Sequence, residues 1–311
     1  MSTRLLITGI NGFVGSNIYD EFSSHMEICG VDLGKDETKT SCSYFSWDDL
    51  DSIPNVDAIV HLAGIAHDVE GTNDDAKYFE INVGLTKLIL DHFIRSTAKN
   101  FIFFSSVKAA ADTVNAGPLT ENNCPAPKTP YGKSKLEAEE YILSIPLPTG
   151  KSIYLLRPAM IHGPGNKGNL NLLYSIIRSG IPYPLGAYSN ERSFTSIKNV
   201  LFILDALLHQ DIPSGIYNVC DDNPLATLDV VSIIYSSLER KEKIWNVPKS
   251  LIEMLAKAGD LFHLPFTSER LKKLTESYTV SNKKIKRELN IESLPTDARE
   301  GLLSTLQSFN K

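Results

Sequence analysis

A tyrosine and a lysine four positions apart are the residues of this chain best suited to move a proton. Tyr131 and Lys135 occur in the run Tyr-Gly-Lys-Ser-Lys, and two residues at this spacing lie on the same face of a helix. A phenol has an ordinary pKa of about 10. A neighbouring ammonium favours the ionised phenol, so Tyr131 can serve as a general base closer to neutral pH. The same spacing also occurs on ordinary surface helices, so the rest of the chain must decide between the two interpretations.

Two serines follow an apolar run at 101–104 that is typical of a buried strand. In a parallel sheet, ligands bind at the carboxyl ends of the strands, so a hydroxyl at that place faces a crevice. Ser106 can bond a substrate hydroxyl or carbonyl and share its proton with Tyr131. The alternative is a polar strand end that caps the next turn. Ser105 is the less suited of the two serines to catalysis.

Three glycines spaced three residues apart follow the first apolar run. Gly9, Gly12 and Gly15 occur in Thr-Gly-Ile-Asn-Gly-Phe-Val-Gly at 8–15, between a predicted strand and a predicted helix. In a dinucleotide-binding turn the first glycine permits the tight turn, the second admits a pyrophosphate, and the third lets helix and strand pack closely. The helix N-terminus then offers N–H groups and a positive dipole to the phosphates. A plain tight turn is the alternative, and the position at the first strand–helix junction favours a dinucleotide cofactor.

Asp32 ends the second predicted strand, seventeen residues after Gly15. An acid at this place accepts hydrogen bonds from a ribose 2′-hydroxyl and repels a 2′-phosphate, which predicts NAD rather than NADP. Lys35 lies nearby and could tolerate a phosphate, and an ordinary solvent-facing aspartate is the alternative. With such a cofactor in place, Lys135 can also bond the nicotinamide ribose.

The order of apolar and amphipathic segments predicts the sheet that must hold these residues. Short apolar runs typical of buried parallel strands occur at 4–8, 27–31, 58–62, 101–104 and 152–156. Helical patterns lie between them, at 12–23, 80–98 and 130–143. This alternation predicts an α/β fold, a Rossmann doubly wound parallel sheet covered by helices on both faces.

The pattern changes after Arg157. A turn-rich loop occupies 162–169, and the remainder mixes helices with short strands such as 215–219. We expect residues 1–158 to form the cofactor-binding domain, with returns near 194–222. Residues 159–311 are expected to form a smaller mixed C-terminal region that binds the substrate.

The overall composition limits the partners of the protein. Lysine and arginine number 31 against 37 aspartate and glutamate residues, a net charge of −6, so no basic excess predicts a nucleic-acid or an anionic membrane partner. The four cysteines are scattered, which predicts neither a metal site nor a disulfide framework. No stretch has the length and apolar character of a signal peptide or a membrane span, so a cytoplasmic protein is expected.

Taken together, these motifs resemble the extended short-chain dehydrogenase/reductase superfamily, in its NAD-dependent epimerase/dehydratase branch. The matching pieces are T-G-I-N-G-F-V-G at 8–15, Asp32, H-L-A-G at 61–64, Asn82, F-F-S-S at 103–106, P-Y-G-K-S-K at 130–135, L-R-P at 156–158 and H-G-P-G at 162–165. The resemblance implies NAD as cofactor and a nucleotide-sugar substrate, usually a UDP-sugar. It implies Tyr131 as the base, Lys135 as its activator and Ser106 as the hydroxyl partner. It also implies a homodimer that pairs through the helix carrying Tyr131 and the helix before it.

The resemblance further implies which residues contact the two ligands. The expected cofactor contacts are Gly9, Asn11, Gly12, Phe13, Val14, Gly15, Asp32, Leu62, Ala63, Gly64, Asn82, Ser105, Tyr131 and Lys135. On the substrate side, Arg192 matches an arginine that holds the diphosphate by a charge-assisted contact, and Arg270 is a weaker candidate for the same role. Asn169 lies where related enzymes bind the nucleotide, in a loop after Arg157 and Pro158.

Two departures from the family pattern narrow the reaction. Val107 and Lys108 follow Ser106, whereas 4,6-dehydratases carry a Thr-Asp-Glu run at the serine position, so dehydration is disfavoured. The S-S-x-K run is similar to that of a bacterial subgroup associated with N-acetylhexosamine metabolism for surface polysaccharides. We therefore expect an NAD-dependent 4-epimerase of a UDP-hexose or UDP-N-acetylhexosamine that works through a transient 4-keto sugar. A 4-keto reductase or dehydrogenase, and a non-catalytic NAD-binding protein, are the alternatives.

Overall fold

The computed structural model describes residues 3–65, 75–114, 117–166, 168–262 and 266–309. The strands are β1 (Arg4–Thr8), β2 (Glu27–Val31), β3 (Cys42–Phe45), β4 (Ala58–His61), β5 (Asn100–Phe104), β6 (Ser152–Pro158), β7 (Met160–His162), β8 (Glu191–Arg192), β9 (Phe194–Ser196), β10 (Gly215–Val219) and β11 (Leu225–Ala226). The helices are α1 (Phe13–Phe22), α2 (Asp75–Arg95), α3 (Val107–Ala110), α4 (Pro130–Ser144), α5 (Asn169–Arg178), α6 (Ile197–His209), α7 (Thr227–Ser237), α8 (Lys249–Phe262), α9 (Ser268–Thr275), α10 (Lys283–Glu288) and α11 (Ala298–Ser308).

Seven strands form one sheet, ordered β10-β6-β5-β4-β1-β2-β3, and every neighbouring pair is parallel. The chain passes from β1 to β2 and β3 on one side and then to β4, β5 and β6 on the other. The carboxyl ends of β1 and β4 therefore flank the crevice in which such sheets bind ligands. The predicted Rossmann-type α/β fold is confirmed, and β10 extends the sheet beyond β6.

Helices cover both faces of the sheet because successive residues of each buried strand point to opposite sides. Leu5 and Ile7 of β1 belong to the core beneath α1 and α6, whereas Leu6 belongs to the core beneath α2 and α4. The helical side chains that complete these two layers include Ile18, Phe22, Ile203 and Leu204 on one face and Ile89, Phe93, Ala138 and Ile142 on the other. The two layers fix the strand ends, and with them the residues that follow each strand.

Strand β3 is the part of the sheet that the sequence does not predict. Its residues, Cys42–Phe45, are half-buried or exposed, and the strand lies at the edge of the sheet beside β2. A short edge strand lacks the continuous apolar run that identifies a central parallel strand. Helix α2 also differs from its prediction, since it covers Asp75–Arg95 rather than 80–98.

Residues that follow β6 pack into a second core beside the sheet. Helices α5, α7, α8 and α11 enclose apolar side chains that include Tyr174, Ile177, Val231, Ile234 and Leu302. Two small sheets accompany this core: β8 pairs antiparallel with β11, and β7 pairs parallel with β9. Helix α6 belongs instead to the core of the main sheet. Among the helices that the structure describes, none combines the length and the apolar character that crossing a bilayer requires.

Candidate active site

Helix α4 carries Tyr131 and Lys135 and begins at a well-defined cap. The Thr129 hydroxyl accepts a hydrogen bond from the Gly132 N–H group (3.2 Å), and Pro130 occupies the first turn. A capping hydroxyl satisfies an N–H group that the helix itself leaves free, and proline is compatible with the first turn. These contacts fix the start of the helix, so that Tyr131 lies on the same face as Lys135 one turn later.

Tyr131 lies half-buried beside α2, with its ring edge-on to that of Tyr78 at 6.5 Å between ring centres. Burial raises the pKa of the Tyr131 phenol, and its interaction with the Ser106 hydroxyl acts in the opposite direction. The sequence predicts that Lys135 lowers this pKa. In the structure desolvation is the larger effect, because a buried phenolate loses its hydration. Tyr131 and Ser106 are close enough to interact, as the sharing of a proton requires.

Ser106 follows β5 and caps α3. Its buried hydroxyl accepts a hydrogen bond from the Lys108 N–H group (3.1 Å). The facing turn of α4 carries Gly132, where a Cβ atom would lie only 2.5 Å from the Lys108 carbonyl oxygen. The glycine therefore permits the close approach of α3 and α4 that brings Ser106 to Tyr131.

Lys135 is buried on the side of α4 that faces the sheet. Its ammonium donates a hydrogen bond to the Phe104 carbonyl oxygen (3.0 Å) and lies 4.9 Å from the centre of the Phe103 ring. Burial lowers the pKa of Lys135 to about 8, and the carboxylate of Glu139 opposes this shift. The ammonium is thus held at the carboxyl end of β5, one helical turn from Tyr131.

A buried ion pair lies one further turn along α4. Glu139 and Arg157 are each 1% exposed, and 2.5 Å separates the Oε2 atom from the Nη2 atom. A second contact of 2.9 Å, from Nε to Oε1, makes the pair bidentate. The Ser105 hydroxyl donates to the same carboxylate (2.5 Å). The Ser105 hydroxyl is thus part of this buried network, and the cofactor contact predicted for Ser105 stays a prediction.

Neither partner of this ion pair is predicted from the sequence as a site residue. Glu139 lies four positions after Lys135, and Arg157 is the one charged residue within the apolar run of β6. A charged residue inside a buried strand needs a partner, because an unpaired buried charge is very costly. That requirement is the signal from which the pair could have been predicted.

The glycine turn has the shape that a pyrophosphate requires. Gly9 has a φ of +72°, and a Cβ atom there would lie 2.9 Å from the backbone nitrogen of Ala63. A Cβ atom on Gly15 would overlap the Gly9 carbonyl oxygen, so α1 and the turn are in close contact. Helix α1 has Gly12 at its N-cap, without a side-chain cap and without an acid in its first turn. Its first N–H groups can therefore bind an anion, which fits the phosphates of NAD.

Asp32 holds the glycine turn from the end of β2. Its carboxylate accepts hydrogen bonds from the backbone N–H groups of Asn11 (2.8 Å) and Leu33 (2.7 Å). The side chain of Asn11 donates to the Gly34 carbonyl oxygen (2.7 Å) and accepts from the Tyr44 hydroxyl (2.8 Å). The carboxylate thus lies beside the turn, where an acid can bond a ribose hydroxyl of NAD.

Asn82 of α2 braces the loop that follows β4. Its amide oxygen accepts a hydrogen bond from the Ile65 N–H group (2.8 Å), and its amide nitrogen donates to the Ser134 hydroxyl (2.9 Å). A Cβ atom on Gly64 would lie 2.5 Å from the Asn82 amide oxygen and 3.6 Å from the Lys135 ammonium. Three predicted cofactor residues from three separate elements therefore meet at one place.

The remaining predicted cofactor residues lie at the same edge of the sheet. Phe13 and Val14 form the first turn of α1, and Leu62 and Ala63 directly follow β4. Val14 and Leu62 pack against the core beneath α1. The Ala63 N–H group donates to the Thr8 hydroxyl at 3.3 Å, which ties this loop to the end of β1.

His61 is a neutral core residue at the end of β4. Its ring nitrogens lie 2.6 Å from the Thr8 hydroxyl and 3.0 Å from the Thr86 hydroxyl. The ring also stacks on Phe103, with 5.5 Å between ring centres. Burial lowers the pKa of His61 to about 3, so it holds the strand ends together and is unsuited to proton transfer near neutral pH.

Arg192 and Lys108 form a pair of half-buried cations. Lys108 donates to the Asp112 carbonyl oxygen (2.8 Å) and lies 4.3 Å from the centre of the Tyr278 ring. Arg192 donates from Nη2 to the Lys273 carbonyl oxygen, and its buried Nε atom has no hydrogen-bond partner within the part of the chain that the structure describes. Burial lowers the pKa of each cation, and Arg192 adds to the effect on Lys108. Carbonyl oxygens leave the positive charge available to an anionic ligand.

The two other predicted substrate contacts have less defined places. Asn169 begins α5, and its side chain lies outside the described residues. Arg270 is exposed on α9, three residues before the Lys273 carbonyl that accepts from Arg192. The structure thus places Arg192 in a partly desolvated environment and Arg270 in solvent.

A family model described as the NAD dependent epimerase/dehydratase family matches residues 5–220. The chain is 27% identical to UDP-glucose 4-epimerase of Vibrio cholerae, over 99% of this chain and 96% of that protein. It is also 27% identical to N-acetyl-alpha-D-glucosaminyl-diphospho-ditrans,octacis-undecaprenol 4-epimerase of Escherichia coli O157:H7, over 81% of this chain and 77% of the relative. The WbmG enzyme of Bordetella bronchiseptica, solved in complex with NAD, superposes with a TM-score of 0.78 at 20% identity, covering 100% of this chain and 94% of that one. At that identity the likeness to WbmG shows the fold.

Proposed function

The chain belongs to the NAD dependent epimerase/dehydratase family, and we propose that it is a nucleotide-sugar 4-epimerase that acts on a UDP-hexose or a UDP-N-acetylhexosamine. The observation that carries the proposal is the meeting of Ser106, Tyr131 and Lys135 at the carboxyl end of β5. The similarity to two enzymes named as 4-epimerases supports the choice of reaction.

Tyr131 acts as the general base toward the C4 hydroxyl of the sugar, and Ser106 bonds the same oxygen. Bound NAD supplies the hydride acceptor at C4, and its positive nicotinamide ring favours the phenolate. The Tyr131 phenol is protonated at neutral pH in the ligand-free protein, because burial raises its pKa. Ionisation of Tyr131 thus depends on nearby positive charge. Bound NAD would bring one such charge, and the Lys135 ammonium is the one that the protein itself holds in place.

After oxidation the proton on Tyr131 and the hydroxyl of Ser106 hold the 4-keto oxygen. The sugar turns over, and reduction from the other face takes the proton back from Tyr131 to the same oxygen. Ser106, Tyr131 and Lys135 need to recognise only the C4 carbinol and the C4 carbonyl of the sugar. The same three residues can therefore serve both the oxidation and the reduction.

Arg192 is proposed to hold the diphosphate, with Lys108 as a second cation beside it. Two observations support this role: the Nε atom of Arg192 has no hydrogen-bond partner among the described residues, and the ammonium of Lys108 bonds a carbonyl oxygen. A diphosphate accepts charge-assisted hydrogen bonds from both side chains. The Vibrio cholerae relative aligns over nearly the whole chain, which supports a nucleotide rather than a lipid on the other side of the diphosphate.

The proposal is tested by incubating the purified protein with a panel of UDP-sugars and no added NADH. We expect the C4 epimer of at least one of them, with no net consumption of the cofactor. If no UDP-sugar gives an epimer but a UDP-4-keto sugar is reduced with consumption of one NADH per product, the epimerase would be replaced by a 4-keto reductase. If Tyr131→Phe retains full turnover, Tyr131 is not the general base.

We also propose that the protein is a homodimer that pairs through α2 and α4. Leu88 of α2 is 50% exposed and Leu143 of α4 is 56% exposed, and the two helices pack side by side on one face of the sheet. Light scattering during gel filtration measures the mass directly. We expect twice the chain mass for the wild type and a lower average mass for Leu88→Glu.

A further inference from the structure

Exposed apolar side chains are concentrated in the C-terminal half of the protein. Ten of the fifteen large apolar side chains that the structure describes as well exposed fall within 172–181 and 245–274. Scattered single apolar residues on a surface need no explanation, but a concentration of them marks an interaction site. Helix α8 carries five of the ten, more than any other element.

Helix α8 has two apolar stripes, of which one is covered. Ile252, Ala256 and Gly259 face the second core and are buried. The other stripe is exposed to solvent and consists of Leu251 (41%), Met254 (58%), Leu255 (51%), Leu261 (72%) and Phe262 (67%). At the pitch of an α-helix these five positions fall within an arc of about 120°. A stripe of this kind predicts a partner that is itself apolar.

The charge of the same segment is opposite to that of the whole protein. Residues 241–274 carry seven lysine and arginine residues against four aspartate and glutamate residues, whereas the whole chain has 31 against 37. The seven cations are all exposed: Lys241, Lys243, Lys249, Lys257, Arg270, Lys272 and Lys273. Trp245, 59% exposed, precedes α8. The whole-chain charge that predicts no membrane partner therefore does not describe this surface.

We propose that α8 and its flanking residues 241–248 and 268–274 form a peripheral docking surface for an anionic phospholipid bilayer. A bilayer offers hydrocarbon for the exposed stripe and negative headgroups for the exposed lysines and arginines of the same segment. An exposed tryptophan is suited to the headgroup boundary, because its ring is apolar and its N–H group is polar. A second copy of the chain fits less well, since symmetric pairing would bring two positive surfaces together.

The docking surface is directly linked to the candidate substrate site. The Lys273 carbonyl oxygen at the end of α9 accepts from Arg192, and Tyr278 just beyond it lies under Lys108. Docking would therefore hold the proposed diphosphate site close to the membrane surface. This consequence rests on the proposed role of Arg192, whereas the docking itself does not.

Sedimentation with phospholipid vesicles tests the docking surface. We expect the wild type to bind vesicles of phosphatidylethanolamine and phosphatidylglycerol, and to bind vesicles of phosphatidylcholine at least tenfold more weakly, on the order expected for several basic residues. The double substitution Leu255→Glu and Phe262→Glu should abolish sedimentation. A matched control is Leu33→Glu, which changes an equally apolar, 98% exposed side chain outside the surface and should bind like the wild type.

Three outcomes would overturn the proposal. The wild type could remain in the supernatant with anionic vesicles, or the control could lose binding as completely as the α8 variant. The third is a fall in mass for the α8 variant in light scattering, which would identify a second copy as the occupant. Epimerase activity of the α8 variant on a free UDP-sugar reports separately on the proposed function, and its far-ultraviolet circular dichroism reports on folding.

Discussion

The proposed proton-transfer end and the proposed diphosphate end of the site are built in different ways. At the first, Lys135, Glu139 and Arg157 are buried, and a bidentate ion pair lies next to the ammonium. At the second, Arg192 and Lys108 are half-buried and bond to carbonyl oxygens. A buried and mutually paired set keeps one geometry whether or not a ligand is present. The carboxylates of Asp112 and Glu276 offset part of the positive charge at the proposed diphosphate end. We expect a bound anion to offset more of this charge and to complete the geometry.

The largest effect is expected for Tyr131→Phe, which removes the proposed base and little else. Turnover should fall by about 10²- to 10⁴-fold, the usual contribution of general acid–base catalysis. The melting temperature should change little, since the ring is kept. Tyr141→Phe on the same helix is the matched control and should retain turnover. If turnover falls equally in both variants, loss of any tyrosine hydroxyl on α4 disturbs the enzyme, and the experiment does not identify Tyr131 as the base.

Glu139→Gln should affect both stability and pH dependence. Removing one partner of a buried ion pair costs about 3–5 kcal/mol, because Arg157 is left uncompensated. The Glu139 carboxylate also raises the pKa of Lys135 against the effect of burial. Without it the Lys135 pKa falls below about 8, so the ammonium is lost at a lower pH and the alkaline decline of kcat begins earlier.

The pH profile separates positioning of Lys135 from a purely structural role of Glu139. Among the residues that the structure describes, the titratable groups around Lys135 are Tyr131 and Glu139 on its own helix and Arg157 on β6, which pairs with Glu139. His61 on β4 stays neutral. Glu269→Gln breaks the exposed pair with Lys273 (2.8 Å) and is the matched control. It should leave both stability and the profile unchanged. If the Glu139→Gln protein is less stable but its kcat declines at the same alkaline pH as that of the wild type, Glu139 has only a structural role.

Arg192→Met should act mainly on substrate binding. Loss of a charge-assisted contact to a diphosphate should raise KM by about 10- to 100-fold and lower kcat far less. Arg270→Met is the control, because that side chain is exposed on α9. Steady-state kinetics with a UDP-sugar measure both constants. An equal rise in KM for the two variants would contradict the distinction between them.

The smallest effect is expected for Asp32→Asn, which removes the charge and leaves one side-chain oxygen to accept from the N–H groups of Asn11 and Leu33. NAD affinity should fall by about tenfold and NADP should bind better, since the repulsion of a 2′-phosphate is lost. Lys35 pairs with Glu37 at 3.4 Å, which offsets part of the positive charge that a 2′-phosphate would meet. Isothermal titration with each cofactor measures the preference, and an unchanged ratio would remove Asp32 from cofactor selection.

The parts of the site that the sequence predicts are those contained in a single local segment. The glycine turn at 8–15 and the Tyr131–Lys135 spacing each lie within a few residues, so periodicity and turn chemistry are enough. The Glu139–Arg157 pair joins α4 to β6, and Arg192 meets Lys273 from 81 positions away. Such contacts depend on how helices and strands pack against each other, and the local sequence pattern holds no information about that packing. The same reason explains β3, whose place depends on β2 rather than on its own residues.

The central claim is that Tyr131 serves an oxidation and a reduction at the same sugar carbon. A UDP-sugar with deuterium at C4, incubated with the wild type and no added NADH, tests it most directly. Nuclear magnetic resonance of the product should show the C4 epimer with deuterium still on C4, because the transferred atom returns to the carbon it left. An epimer that has exchanged its C4 deuterium for solvent hydrogen, or no epimer at all, would contradict the account.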